Sequence, residues 1–171
     1  MKTYLQMVNN ILIRLREREV SSINENSYSK LIGLLVHDSV EMVESAWNWS
    51  NLRETMTVTT QSGVFNYALT DFGDKSAVLD VLNDTSNTFM AYQTARWFNN
   101  AFLNNTPATG SPVNYVFNGL SSAGDTQVDI HPIPDGVYTL YFNIVKRSPD
   151  VSLDSDIIKV PFHPHHVPQV P

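Results

Sequence analysis

The two acidic residue types divide this chain between them. All six glutamates (Glu17, Glu19, Glu25, Glu41, Glu44 and Glu54) lie before residue 55, and every acid after that point is aspartate. Glutamate is a good helix former, whereas aspartate competes for backbone hydrogen bonds and settles in caps and turns. The order predicts helices first and strands with polar turns afterwards, an α+β fold rather than βαβ units. The expected organisation is a helical bundle region of two long helices over residues 1–50 and an antiparallel β-rich domain with a short inserted helix over 51–159. An extended Pro/His tail is expected over 160–171.

The first helix is expected from Thr3, as N-cap, to about Arg18, with Leu5, Val8, Leu12 and Leu15 on one stripe. Val20 to Asn26 reads as a polar connector. A second helix follows Ser27 and runs to about Trp47. Leu31, Leu34, Leu35, Met42 and Ala46 follow one of its faces, and Ile32, Val36, Val40, Val43 and Trp47 an adjacent one. Two apolar faces on one helix imply contacts on two sides, within the molecule or with another copy.

From Leu52 the period becomes two. Met56 and Val58, then Phe65, Tyr67 and Leu69, alternate with polar residues, and Val78 to Leu82 forms another strand. Asn83 to Asn87 has the composition of a turn that returns into a partner strand, Phe89 to Tyr92. Thr94 to Leu103 reads as a short helix and Asn104 to Pro112 as a loop. Three further strands are expected over Val113–Leu120, Thr126–His131 and Val137–Val145, the last two forming a hairpin across Pro-Asp-Gly at 134–136. Four prolines among the last eleven residues forbid both helix and central strand there.

Hydrophobic residues make up 42% of the sequence and charged ones 16%, which excludes a disordered or low-complexity chain. No apolar run reaches the roughly 20 residues of a bilayer span, and MKTYLQMVNN has no signal-peptide core, so a soluble, non-secreted protein is expected. The absence of cysteine excludes disulfides, thiolate metal sites and cysteine nucleophiles, and a net charge of −6 argues against a dedicated nucleic-acid binder. No phosphate-binding loop, dinucleotide fingerprint, zinc-protease helix or nucleophile elbow is present. His163, His165 and His166 are close enough to share a metal, but a docked tail is the favoured reading because a structural site needs four ligands and supporting partners. The pairs Asp71/Asp74, Asp80/Asp84 and Asp154/Asp156 stand in turn-like contexts where aspartate caps backbone donors. Trp47 and Trp49 are expected to be buried where helix meets sheet.

The order of these pieces resembles the head-to-tail adaptor proteins of tailed bacteriophages, also called tail tubular protein A or head-completion proteins. The matching segments begin with Leu5-x-x-Val8-Asn9-x-Ile11-Leu12, leading to Glu19-Val20-Ser21-Ser22. Next come Ala46-Trp47-Asn48-Trp49 and Phe65-Asn66-Tyr67-Ala68-Leu69. Ile130-His131-Pro132-Ile133-Pro134-Asp135-Gly136-Val137-Tyr138-Thr139-Leu140 follows, and Asp154-x-Asp156-Ile157-Ile158-Lys159-Val160-Pro161-Phe162 closes the series. Together they span most of residues 3–166. The resemblance implies a virion structural protein, not an enzyme, that joins the portal to the tail as a homo-oligomeric ring, commonly dodecameric, and continues the DNA channel. Its implied partners are further copies of the chain, the portal protein and a tail or nozzle protein. DNA would pass without specific binding, and no cofactor, metal or membrane is involved. The implied location is the virion neck or tail, with assembly in the host cytoplasm.

On this reading Leu31, Leu35, Val36, Val43 and Trp47 anchor helix packing within or between subunits. The tail, through Val160, Phe162, His163, His165, His166 and Val167, docks on a neighbouring protein. An acidic chain also suits a channel in which DNA slides, because a basic lining would hold phosphates. Two rivals are a carbohydrate- or receptor-binding β-module using Trp49, Trp97 or exposed tyrosines, and a small peptidoglycan glycoside hydrolase using two facing aspartates.

Overall fold

Thr3 starts the first helix through a capping box. Its Oγ1 accepts from the Gln6 amide at 3.2 Å, and Gln6 Oε1 accepts from the Thr3 amide at 3.0 Å. The computed structural model describes residues 2–73, 75–148 and 150–158. The tail from Val160 onward, with Phe162, His163, His165, His166 and Val167, lies outside the described residues, as does Asp74. The chain divides into two compact units, Met1–Leu52 with Arg147–Pro171, and Arg53–Lys146.

The first unit contains β1 (Lys2–Thr3), α1 (Tyr4–Arg14), α2 (Ser27–Ser45) and β10 (Ile157–Ile158), with β10 antiparallel to β1. α1 is shorter than expected. It closes at Arg14 because Arg16 adopts a left-handed conformation, with φ 61°. The Arg16 amide then donates to Ile13 O at 3.0 Å and the Glu17 amide to Leu12 O at 2.9 Å, the two bonds of a Schellman motif. Leu15 therefore leaves the stripe and is exposed, and Tyr4, Val8 and Leu12 are the buried positions. The connector is less polar in effect than in composition. Asn9 clamps the Val20 backbone from both sides at 2.9 and 3.0 Å, and Val20 and Ile23 enter the core with Ile32, Val36 and Ile158.

The second unit is built from two four-stranded sheets. The first contains β2 (Arg53–Thr59), β9 (Thr139–Val145), β4 (Ala77–Asn83) and β5 (Thr88–Phe89), in that spatial order. The second contains β3 (Asn66–Leu69), β8 (Thr126–His131), β7 (Asn114–Leu120) and β6 (Ala91–Tyr92). Alternation directs Leu140, Phe142 and Ile144 of β9 and Val81 of β4 into one core with Leu69, Tyr115, Val128 and Ile130 of the other sheet.

Two expected connections differ. The strands over 126–131 and 139–145 are not a hairpin, for β8 and β9 lie in different sheets. Pro132 and Pro134 have no amide to continue a ladder, and loops hold the segment instead. Ile133 donates to Ala108 O at 2.9 Å, Pro134 O accepts from the Gly63 amide at 2.8 Å, and Tyr138 O accepts from the Thr60 amide at 2.9 Å. Phe89 to Tyr92 is likewise not one strand. It changes sheets at the buried Met90, so β5 is antiparallel to β4 whereas β6 runs parallel to β7. The expected inserted helix is present as α3 (Ala95–Asn99), capped by Thr94, and passes into a π-helical turn over Asn100–Asn104.

Candidate interaction surface

α2 is fixed in its unit by one face. Asn26 caps it in a box with Ser29, and the Ser29 hydroxyl, fully buried, bonds to Ile23 O at 2.8 Å. Ile32, Gly33 and Val36 continue that face. Gly33 lies against both the connector and α1. A Cβ there would stand 2.8 Å from Ile23 Cγ2 and 3.0 Å from the Tyr4 hydroxyl. About two turns beyond Val36, Glu44 is also buried, and its two oxygens receive the Ser148 amide at 3.0 Å and the Ser148 hydroxyl at 2.8 Å. Sequence reasoning assigned Glu44 no role. The available signal was its place four and eight residues beyond Val40 and Val36, on the same helical face.

The opposite flank is uncovered. Leu31 is 51% exposed, Leu35 53% and Met42 70%, with Leu34 and Val43 beside them. Leu35, Val36 and Val43 come together with Met7, Ile11 and Val40 around an apolar groove of about 320 Å³ between the two helices. Val36 forms part of its floor, since it is buried, while Leu35 and Val43 stand at its mouth. The expected burial of Trp47 is corrected: its side chain is 65% exposed. The helix ends two residues earlier, at Ser45, so Trp47 does not follow a helical face to the core. Trp49 is half-buried, and its indole Nε1 donates to Val43 O at 2.8 Å, satisfying a carbonyl of the last turn.

The aspartates are engaged in holding backbone and neighbours. Asp71 bonds Lys146 Nζ at 2.6 Å, which raises the lysine's pKa. Asp80 accepts from Asn143 Nδ2 at 2.6 Å, and Asp154 from the Ile23 amide at 3.1 Å. Asp156 receives the Ser152 and Leu153 amides at 2.9 and 2.8 Å, and the Leu153 bond leads in lowering its pKa. His131, the last residue of β8, packs edge-on to Trp97, Phe98 and Phe102 at 5.2, 6.2 and 5.6 Å, and burial lowers its pKa. His37 Nε2 lies 3.6 Å from Asp150. Among the described residues no three His, Asp or Glu side chains are grouped to hold a metal ion, and no helix is long and apolar enough to cross a membrane.

Among the described residues, the flank of α2 is left as an exposed apolar surface. A comparison with curated proteins returned no match. A family model described as SU10 adaptor protein matches residues 2–169.

Proposed function

Since the chain belongs to the SU10 adaptor protein family, a family of phage structural adaptors and not of enzymes, we propose that it forms a ring joining the portal to the tail and continuing the DNA channel, as tail tubular protein A-like adaptors do. The observation that carries this reading is the uncovered apolar flank of α2. Contiguous apolar surface of this kind marks an interaction site. A ring covers it by head-to-tail contacts that close by rotation. Leu31, Leu35, Val43 and Trp47 are the anchors between subunits, and Val36 secures the helix within its own subunit. The tail from Val160 docks on the portal or on a tail protein during assembly in the host cytoplasm. DNA passes the ring without specific contacts, in keeping with the net charge of −6.

The test is the mass of the purified protein in solution, with and without its portal, compared with a Leu31→Asp/Leu35→Asp variant. The parent is expected to form a closed ring on the portal. The variant should keep its helical circular dichroism and fail to assemble. A parent indifferent to the portal, or a variant that assembles as well as the parent, overturns the reading.

A further inference from the structure

We propose that two copies of the chain pair edge to edge through β2, antiparallel and two-fold about Thr57. β2 stands at the end of its sheet, with β9 on one side of it. The Thr60 amide donates to Tyr138 O at 2.9 Å, one step beyond the pairing of Thr59 with Thr139, and this fixes the phase of the ladder. Bonded and non-bonded pairs alternate along an antiparallel ladder. Glu54, Met56 and Val58 therefore spend their backbone groups on β9, and Thr55, Thr57 and Thr59 present theirs outward. Among the described residues no backbone group bonds to them from the open side.

Sheet edges are normally shielded by shortness, bulges, proline or lysine. The other edges of these two sheets are short, for β3 has 4 residues and β5 and β6 have 2 each. β2 has 7 residues in unbroken register with β9, no proline or lysine, and charge at Arg53 and Glu54 alone. Its threonines are exposed, while Met56 and Val58 pack on the core and stay half-buried. Length and register select the occupant. Among the described residues the strand that matches this edge is β2 of a second copy. Pairing about Thr57 sets Thr55 opposite the partner's Thr59 and Met56 opposite the partner's Val58. The threonine pairs exchange two backbone bonds each, and the apolar pair continues the inner face. Arg53 and Glu54 fall opposite the partner's Gln61 and Thr60. A centre at Met56 would instead press Glu54 against the partner's Val58, which disfavours that register. Such a pair uses both edges and closes at two copies, so it goes beyond the adaptor reading and does not propagate round a ring.

Backbone bonds that replace bonds to water are individually weak, and association costs rotation and translation, so the pair should have a Kd of about 1 mM. Half of the chains should be paired at about 1 mM and about 2% at about 10 µM. Sedimentation of the full chain reads that mass, and hydrogen exchange reads the edge itself. The Thr57 amide should exchange about twofold more slowly at the higher concentration, while the Met56 and Val58 amides stay protected at both. Thr57→Pro removes the central outward amide and leaves the ladder with β9 intact, so it should stay monomeric at about 1 mM. Thr57→Val keeps the amide and should pair like the parent. Equal Thr57 exchange at the two concentrations, pairing that survives Thr57→Pro, or pairing abolished by Leu31→Asp/Leu35→Asp overturns the proposal. The exchange comparison uses the parent chain alone, so it decides even where the proline variant does not fold. Assembly on the portal is read at micromolar concentration, below the range of this pair, so failure of either reading leaves the other standing.

Discussion

Glu44→Ala removes the contact that ties the last turn of α2 to the returning chain. The carboxylate is 3% exposed and receives two bonds from Ser148, at 3.0 Å to the amide and 2.8 Å to the hydroxyl. Hydrogen bonds to a charged acceptor contribute about 1.5–3 kcal/mol each. Three effects reduce that sum. The carboxylate was desolvated to sit there, and half-buried Ser148 recovers some bonding from water. Alanine also gains a few tenths of a kcal/mol in helix propensity. The net loss should be about 2 kcal/mol, and Glu44→Gln, which keeps one acceptor, should lose about half as much. Urea unfolding followed by helical circular dichroism reads chiefly this unit, since the 11-residue α1 and 19-residue α2 lie in it, while the helical segments described outside it are the 5-residue α3 and the 5-residue π-helical turn that follows. With a slope of about 2 kcal/mol per molar, the midpoint should fall by about 1 M. A cycle with Ser148→Ala should show about 1 kcal/mol of coupling, the share of the hydroxyl bond. A midpoint that barely moves, or a cycle that is additive, refutes the tether.

Gly33→Ala sets two effects of opposite sign against each other. The helix gains about 1 kcal/mol, but a Cβ 2.8 Å from the β-branched Ile23 forces repacking that costs about 1–3 kcal/mol. Thermal unfolding should show a net loss near 1 kcal/mol, and a stabilised variant would mean the connector yields freely. His131 is held below its ordinary value of 6.5 by burial. The unfolded chain then binds the proton more readily, so this group's stabilisation is complete above about pH 6.5 and is lost as pH falls through the folded value. His131→Phe should remove that acid-side loss, so the variant's urea midpoint should gain on the parent's only below about pH 6.5; a pH-independent difference contradicts the assignment.

Where periodicity and side-chain chemistry act locally, the sequence was a sufficient guide. The α-then-β order, the Thr3 cap, the start of α2 at Ser27 and a strand within Val137–Val145 all follow from local spacing and side-chain chemistry. What stayed hidden depended on partners distant in sequence or on conformations that composition does not mark. The Schellman turn at Arg16 has no glycine to announce it. Met90 divides one apolar run between two sheets, and nothing within Phe89 to Tyr92 distinguishes that from a single strand. Pro-Asp-Gly signals a turn correctly, but the paired prolines before it carry the chain to the other sheet, so the turn does not imply a hairpin. Trp47 was placed by extending a helical face two residues beyond the helix. Glu44 was hidden by the expectation that glutamates are solvated, which fails when the acceptor meets a backbone amide from 104 residues away.

Much of the flank of α2 stays exposed in the folded subunit. Ser29, Ile32, Gly33 and Val36 already seat the helix and Glu44 secures its end, while Leu31, Leu34, Leu35 and Met42 remain at least half exposed. Covering a Leu or Met side chain fully is worth about 1.5–3 kcal/mol, so completing the burial of these four contributes about 4 kcal/mol. Association costs at least about 4 kcal/mol in lost rotation and translation. A single pair of copies held by this flank alone is therefore marginal, and the free protein should remain monomeric at micromolar concentration. A closed ring changes the balance, because each subunit then has two neighbours and the last contact forms between chains already held in place. A template that gathers the subunits removes most of the remaining entropy loss. On the proposed reading that template is the portal, so assembly in its absence at micromolar concentration would show that the flank is not the limiting contact.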